Sequence, residues 1–546
     1  MGNRPFLWIN EKIMIRRQII NRVLEYTGYV ISIFSLSFFI SYVSEGAFDF
    51  SLVFFLLSLG LVFLMRTPHK EISWWKAFLL GLMLFVLRGS VVWALNTFPL
   101  EDYRLVILTL QMPLDGFVLP FVIDYLTKIF FVGSILVFLS LRFFKSYIGM
   151  LSINGVLFLF LCMTLWNVLT LYLQLPLKEY WNFIRNGDSD VVLQESPFWK
   201  ENYSDIDSLK INAGERNLIL IIMESMENWP KNLTPEIEQM ASDNISFSDT
   251  GVFGGGVDIA GSKNTYCSTV SKTTGVPMLR NNKHLGKDLI QVKGLYDVLR
   301  NFGYKNVFLQ GTDADFSGLK SFMINHGIDS LYDMDNLKDD WDMNAIFRNF
   351  RNFSAGITDK RLYDISKNIL DTLSRDKFSL TIATIETHFP YGFYDEKNCF
   401  EKPESSSDEA KFKATLQCAS REVHEFIEWA KKQPFFENTE IVIVGDHLFM
   451  GHFFEKNRDR RWVNIFLNSM ATPITRKRQF TSIDIAPTIL EGMGFQIEGH
   501  KMGLGTSLFS DSLTLLEKMG WTKLNSELKK LGSSIEYNRL NWEENK

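Results

Sequence analysis

Five long apolar stretches fill the first third of the chain, at roughly 19–43, 48–65, 74–95, 117–141 and 150–173. Each is close to the ~20 residues with which a helix crosses about 30 Å of hydrocarbon, where every backbone N–H and C=O has to be satisfied inside the segment. Five such runs in succession leave no polar face for water, so they read as transmembrane spans and not as core helices of a soluble domain. Few charges lie deep within them; Arg88 in the third and Asp124 and Lys128 in the fourth either line a pathway or pair between helices. The basic flanks Arg16, Arg17 and Arg22, then Arg66, Lys70 and Lys76, then Arg142 and Lys145 alternate with the acidic ones Glu45, Glu101, Asp102 and Asp115. Positive loops stay cytoplasmic, so the N-terminus is expected inside and everything after the fifth crossing outside. The first stretch is too long for a cleaved signal peptide, and no small-residue cleavage site follows it, so the anchor is expected to stay.

The remainder of the chain is of another kind. A content of 46% hydrophobic and 22% charged residues over 546 positions is what an apolar third joined to an ordinary folded domain gives. The expected division is a five-helix transmembrane domain over 1–175, a juxtamembrane linker over 176–213, a catalytic domain over 214–510 and a polar, peripheral tail over 511–546. From 214 onward short apolar runs, LILIIM (218–223), NVFLQ (306–310), LTIATI (380–385), IVIV (441–444) and VNIFL (463–467), alternate with amphipathic helical patterns. Apolar strands separated by such helices indicate a largely parallel sheet covered on both faces, the doubly wound α/β class. A net charge of -5, a pI near 6.0 and the lack of a Lys/Arg run argue against a nucleic-acid partner. No phosphate-binding loop or dinucleotide fingerprint is present, so no nucleotide partner is expected either.

Cys162 falls in the fifth apolar stretch, which leaves Cys267, Cys399 and Cys418 in a compartment where disulfides persist. Cys399 and Cys418 bracket the polar segment KPESSSDEAKFKATLQ and are expected to be bridged, a constraint worth ~3 kcal/mol for a loop of that size. Cys267 reads as a small buried residue ahead of a reactive thiol.

In open α/β sheets ligands bind beyond the carboxyl ends of the strands. Glu224 follows the first strand, His388 follows the third, and Asp446 with His447 follows the fourth. Two carboxylates and an imidazole directed from adjacent strand ends make a metal site for a hard to borderline divalent ion. Taken singly, Glu224 reads equally as a helix-cap neighbour, and GDH is too short to be specific. His452 reads equally as a surface histidine. Trp229, Phe389, Tyr391 and Phe393 read as packing before they read as a cleft lining.

The combination is more specific than its parts. NLILIIMES, NTYCSTVSKTTGVP, THFPYG, IVIVGDH and SIDIAPTIL occur in one order and spacing. In this the sequence resembles the membrane-bound branch of the alkaline phosphatase and sulfatase superfamily, which includes lipoteichoic acid synthases, lipid A phosphoethanolamine transferases and the phosphoglycerol transferases of periplasmic glucans. The last group is the most similar, through the paired cysteines ahead of GDHLFM and a late GLGTSLF at 503–509. The resemblance covers the anchor and nearly all of 214–510. It implies a five-helix bundle followed by a sulfatase-like α/β/α domain on the outer face of a bacterial inner membrane, in the periplasm. It further implies one divalent ion, Mn2+ ahead of Zn2+ or Mg2+, held by Glu224, Thr265, Asp446 and His447. Thr265 is the implied nucleophile, His388 the implied contact to phosphoryl oxygens and His452 a weak substrate candidate. A threonine hydroxyl is unreactive at neutral pH, and coordination to a dication is what lowers its pKa. Ser262, Ser268, Thr269 and Ser271 are rival hydroxyls, and a helix starting near Thr265 would aim N–H groups at a phosphoryl oxygen.

The implied reaction moves phosphoglycerol from phosphatidylglycerol to a glycan acceptor through a phosphothreonine. Phosphatidylethanolamine as donor, for transfer to lipopolysaccharide or another surface glycan, is the alternative. A phosphodiester hydrolase and a non-catalytic membrane protein are readings of other classes. No C/S-x-P-S-R motif surrounds Cys267, which disfavours sulfate-ester hydrolysis; with 8 histidines in all, the candidate ligands near the motifs suit one metal and not the two-zinc centre of alkaline phosphatases.

Overall fold

The computed structural model of the chain describes residues 194–251, 253–279, 289–337, 346–349, 354–389, 392–451 and 458–540. The five apolar stretches with Arg88, Asp124 and Lys128, and also Tyr391 and His452, lie outside the described residues. Among the described residues no helix is long and apolar enough to cross a membrane.

The apolar runs form the strands expected of them. β1 (Asn217–Met223), β2 (Lys305–Gln310), β3 (Ser330–Tyr332), β4 (Phe378–Ala383), β5 (Thr439–Gly445) and β6 (Asn464–Leu467) make one sheet in the order β6-β5-β1-β4-β2-β3. All neighbours are parallel except β6, which runs antiparallel to β5 at the edge. Every residue of β1, β4, β5 and β6 is buried, the mark of strands covered on both faces. Because side chains alternate along a strand, Leu218, Leu220 and Ile222 enter one core, and Ile219, Ile221 and Met223 enter the other.

The first core takes its helical residues from α2 (Thr265–Thr274), α3 (Leu295–Asn301), α4 (Leu319–Asn325), α7 (Ile485–Gly492) and α8 (Leu515–Leu531). The second takes them from α1 (Pro235–Asp243), α5 (Asp359–Leu373) and α6 (Asp408–Ala430). The result is the expected three-layer α/β/α sandwich.

Two boundaries differ from expectation. Leu515, Leu516, Leu524, Leu528 and Leu531 belong to the first core, as does Tyr537, whose hydroxyl donates to the Pro277 carbonyl at 2.9 Å and accepts from Leu279 N–H at 2.8 Å. Residues 511–540 are therefore structural and not a peripheral tail. The end of the expected linker is likewise docked: a short helix, Pro197–Asn202, buries Phe198 and Trp199 in the same core. Apolar content decides both cases, since an exposed Leu or Trp gains ~1.5–3 kcal/mol when it can be buried.

Candidate active site

Register brings the functional side chains together. Met223 at the end of β1 pairs with Gly445 at the end of β5, so Glu224 and Asp446 leave the sheet side by side. The turn after β1 is tight: Ser225 holds a positive φ of 50°, a conformation L-residues adopt only when surroundings enforce it. Here its N–H donates to Asp446 Oδ1 at 2.6 Å and its hydroxyl donates to Glu224 Oε1 at 2.7 Å. Glu224 N–H donates to Thr384 Oγ1 at 3.0 Å, and Thr387 Oγ1 donates to the Glu224 carbonyl, tying the ends of β1 and β4 together.

The His447 ring is oriented from outside the site. Its Nδ1–H donates to the Leu448 carbonyl at 2.8 Å, which leaves Nε2 as a lone pair facing inward. Nε2 lies 3.3 Å from Asp446 Oδ2, 3.6 Å from Glu224 Oε1 and 3.4 Å from Thr265 Oγ1. Ligand atoms of Glu224, Asp446 and His447 all fall within 4.8 Å of one another, and all three residues are buried.

Thr265 is the first residue of α2, capped by Asn264, whose Oδ1 accepts from Cys267 N–H at 2.9 Å. The helix stops at Gly275, whose left-handed φ of 71° and contact with the Met502 carbonyl leave no room for a Cβ. Thr265 Oγ1 donates to Glu224 Oε2 at 2.9 Å. Its rivals are committed elsewhere. Ser262 bonds Ile259 at 3.1 Å, Thr269 donates to the Thr265 carbonyl at 2.7 Å, Ser271 bonds Ser482 at 2.7 Å, and Ser268 donates to the Asp446 carbonyl.

The donor set fits a divalent cation. Two carboxylates and one imidazole converge in a buried space, and Asp446 Oδ2 is buried without a hydrogen-bond partner there. Burial and the charge of Glu224 push the Asp446 carboxyl up to about 6, against the pull of His447 and two N–H donors. Burial alone would depress His447, but Asp446 and Glu224 outweigh it and raise its affinity for positive charge. Burial takes His388 down to about 4, so its ring is neutral. His388 Nδ1–H donates to the Phe389 carbonyl at 2.6 Å, and Nε2 is therefore a proton acceptor.

A buried cation was not anticipated. Lys272 Nζ donates to Ser268 Oγ at 2.5 Å and to the Asp446 carbonyl at 2.6 Å, and lies 4.2 Å from the Trp462 ring centre. Burial lowers it to about 8, with Asp258 and Asp446 opposing the shift. Asp258 accepts from Leu448 N–H at 3.3 Å and is itself raised by burial, with His447 and Lys272 pulling the other way. Spacing carries the signal for Lys272: 265, 268 and 272 follow i, i+3, i+7 and share one helix face. Trp229 packs edge-on against Phe412 and Phe449 at 5.6 and 5.7 Å, so the packing reading holds for it.

Cys399 and Cys418 are bridged, with Cα atoms 5.5 Å apart, and Cys267 is buried, both as expected.

A model of the Sulfatase family matches residues 216–495. Phosphoglycerol transferase I of Salmonella typhi is 29% identical over 283 residues, 49% of this chain and 34% of that protein. The same-named protein of Salmonella choleraesuis is 28% identical over the same shares. The chain thus spans about a third of the length of the curated relatives it matches. Among solved structures, the lipoteichoic acid synthase LtaP from Listeria monocytogenes is 19% identical with a TM-score of 0.44, over 56% of this chain and 80% of that one. With the family model covering just over half of the 546 residues, the chain belongs to the sulfatase family.

Proposed function

We propose that the chain is a membrane-anchored transferase that moves phosphoglycerol from phosphatidylglycerol to an extracytoplasmic glycan, through a phosphodiester formed on Thr265. The observation that carries this is the placement of Thr265 Oγ1, 2.9 Å from Glu224 and 3.4 Å from His447 Nε2, at the start of a ten-residue helix. No other hydroxyl of the segment has that position.

Glu224, Asp446 and His447, with Thr265, would hold the ion. Three oxygens and one nitrogen suit Mn2+ ahead of Zn2+, which favours thiolate and imidazole. When bound, the ion supplies Lewis acidity, lowering the pKa of a coordinated hydroxyl and offsetting charge on phosphoryl oxygens. The rest falls to the protein. The Thr265 hydroxyl donates to Glu224, which can take its proton as Oγ1 attacks phosphorus; the bond to the diacylglycerol oxygen breaks, and diacylglycerol leaves as the alcohol with a proton from water. The N-terminus of α2 presents its positive pole to the phosphoryl oxygens. An acceptor hydroxyl then attacks, its proton drawn by a base such as neutral His388, and Thr265 leaves. Two inversions retain configuration at phosphorus. The contact of His388 to phosphoryl oxygens that the resemblance implies stands beside this role.

The relatives named above support phosphoglycerol as the group moved, and the five apolar stretches support an inner-membrane anchor with the catalytic domain in the periplasm. Incubating membranes with head-group-labelled phosphatidylglycerol and a glycan acceptor, then separating products by thin-layer chromatography, tests the proposal. Labelled glycan is expected. Labelled free glycerol phosphate would indicate a hydrolase, and labelled glycan from phosphatidylethanolamine alone would move the assignment to ethanolamine.

A further inference from the structure

Three tryptophans lie in the core, with Trp199 7% exposed, Trp229 4% and Trp462 0%, and Trp429 packs half-buried against Phe426 and Phe435. Trp521 is different. It is 49% exposed, yet held in place, its indole N–H donating to the Asp258 carbonyl at 3.0 Å. The chain reaches that position by a break in α8 at Gly520, whose φ of 72° and ψ of 161° belong to glycine. One turn later Asn525 accepts from Ala260 N–H at 2.7 Å and donates to the Trp521 carbonyl at 3.0 Å. The helix is thereby pinned to residues 258–260, the segment leading into Thr265. Asp258 as a residue is half-buried, and its carboxylate accepts from the N–H of Leu448, the residue after His447. A half-exposed indole and the carboxylate of the residue it bonds thus lie together beside the residue that follows His447.

We infer that Trp521 and Asp258 form a subsite for a sugar ring of the acceptor. The inference rests on the transferase reading, which requires a hydroxyl-bearing acceptor. A pyranose has an apolar C–H face and a rim of hydroxyl donors. The indole takes the first by dispersion and burial, and Asp258 accepts from the second. A lipid chain would use the ring but not the carboxylate, and a phosphate would be repelled by it.

The test is equilibrium binding of a β-linked glucose tetrasaccharide to the full-length chain in lipid nanodiscs, followed by saturation-transfer NMR. Trp521→Phe keeps an aromatic face and loses the bond to Asp258, and it should bind within about threefold of the natural chain. Trp521→Ala should bind at least ~10-fold more weakly. Trp521→Leu, which preserves apolar bulk, should behave like Trp521→Ala and replaces it should that variant not fold. No binding by the natural chain, equal binding by Trp521→Leu, or equal loss in Trp521→Phe and Trp521→Leu would each overturn the subsite. Binding is read without turnover, so the two readings fail separately. An enzyme that binds the tetrasaccharide but transfers no head group sinks the transferase, and one that transfers but does not bind it sinks the subsite.

Discussion

At the scale of single residues, position within the site and not chemical type separates Thr265 from four neighbouring hydroxyls. That difference was legible in the motif, but its reason was not: Ser268, Thr269, Ser271 and Ser262 read as equals until their partners are seen. Glu224, Asp446 and His447 were legible because strand ends are predictable from apolar runs. Lys272 is easily passed over, since a lysine in a polar helix reads as solvated, and only its i, i+3, i+7 spacing with Thr265 and Ser268 marks it. Its burial gives a prediction: Lys272→Met removes the ammonium that donates to Ser268 Oγ and to the Asp446 carbonyl and should destabilise the domain by about 2 kcal/mol, read by denaturant unfolding, as for other buried groups left without their hydrogen-bond partner. A loss under about 1 kcal/mol would show that the ammonium is not paired as described. Ligands and base should also separate. Glu224→Ala and Asp446→Ala should lose bound metal and activity together, whereas His388→Ala should keep metal by elemental analysis and lose turnover.

At the scale of elements, the strands and most helices were legible because their periods are regular, and the C-terminal helix was not. Its Lys and Glu content suggests a solvated tail, although Leu524, Leu528 and Leu531 recur at i, i+4 and i+7 and belong to the core. Because α8 also holds residues 258–260 through Trp521 and Asn525, ending the chain after Ser510 should abolish folding of the catalytic domain and not merely trim it. Soluble, metal-binding protein from that truncation would contradict the assignment. The Cys399–Cys418 bridge joins the start of a polar segment to the middle of α6. Peptide mapping without reduction should recover the two cysteines in one linked pair, and reduction should cost ~3 kcal/mol.

For the whole molecule, buried acids set the response to pH. Burial raises Asp359 to about 7, Glu422 to about 8, Glu440 to about 8 and Asp484 to about 7. Folded-state values above the unfolded ones mean that the folded state binds more protons in this window, so this stability is full below about pH 4 and is lost as pH rises through 7 and 8. The Tm should fall from about pH 5.5 to about pH 9, and Glu440→Gln should blunt the fall; a Tm rising over that range would contradict the burial of these acids. Membrane topology belongs to this scale as well. The basic flanks predict that a phosphatase reporter fused after residue 180 is active and one fused near residue 70 is not, and the reverse would place the catalytic domain in the cytoplasm. The central claim is the covalent step on Thr265, and mass spectrometry of enzyme trapped with phosphatidylglycerol in the absence of acceptor tests it most directly. A glycerol-phosphate adduct on Thr265 is predicted, lost in Thr265→Ala together with roughly a thousandfold or more of the rate. An adduct on Ser268, Thr269 or Cys267, with Thr265→Ala still active, would contradict it.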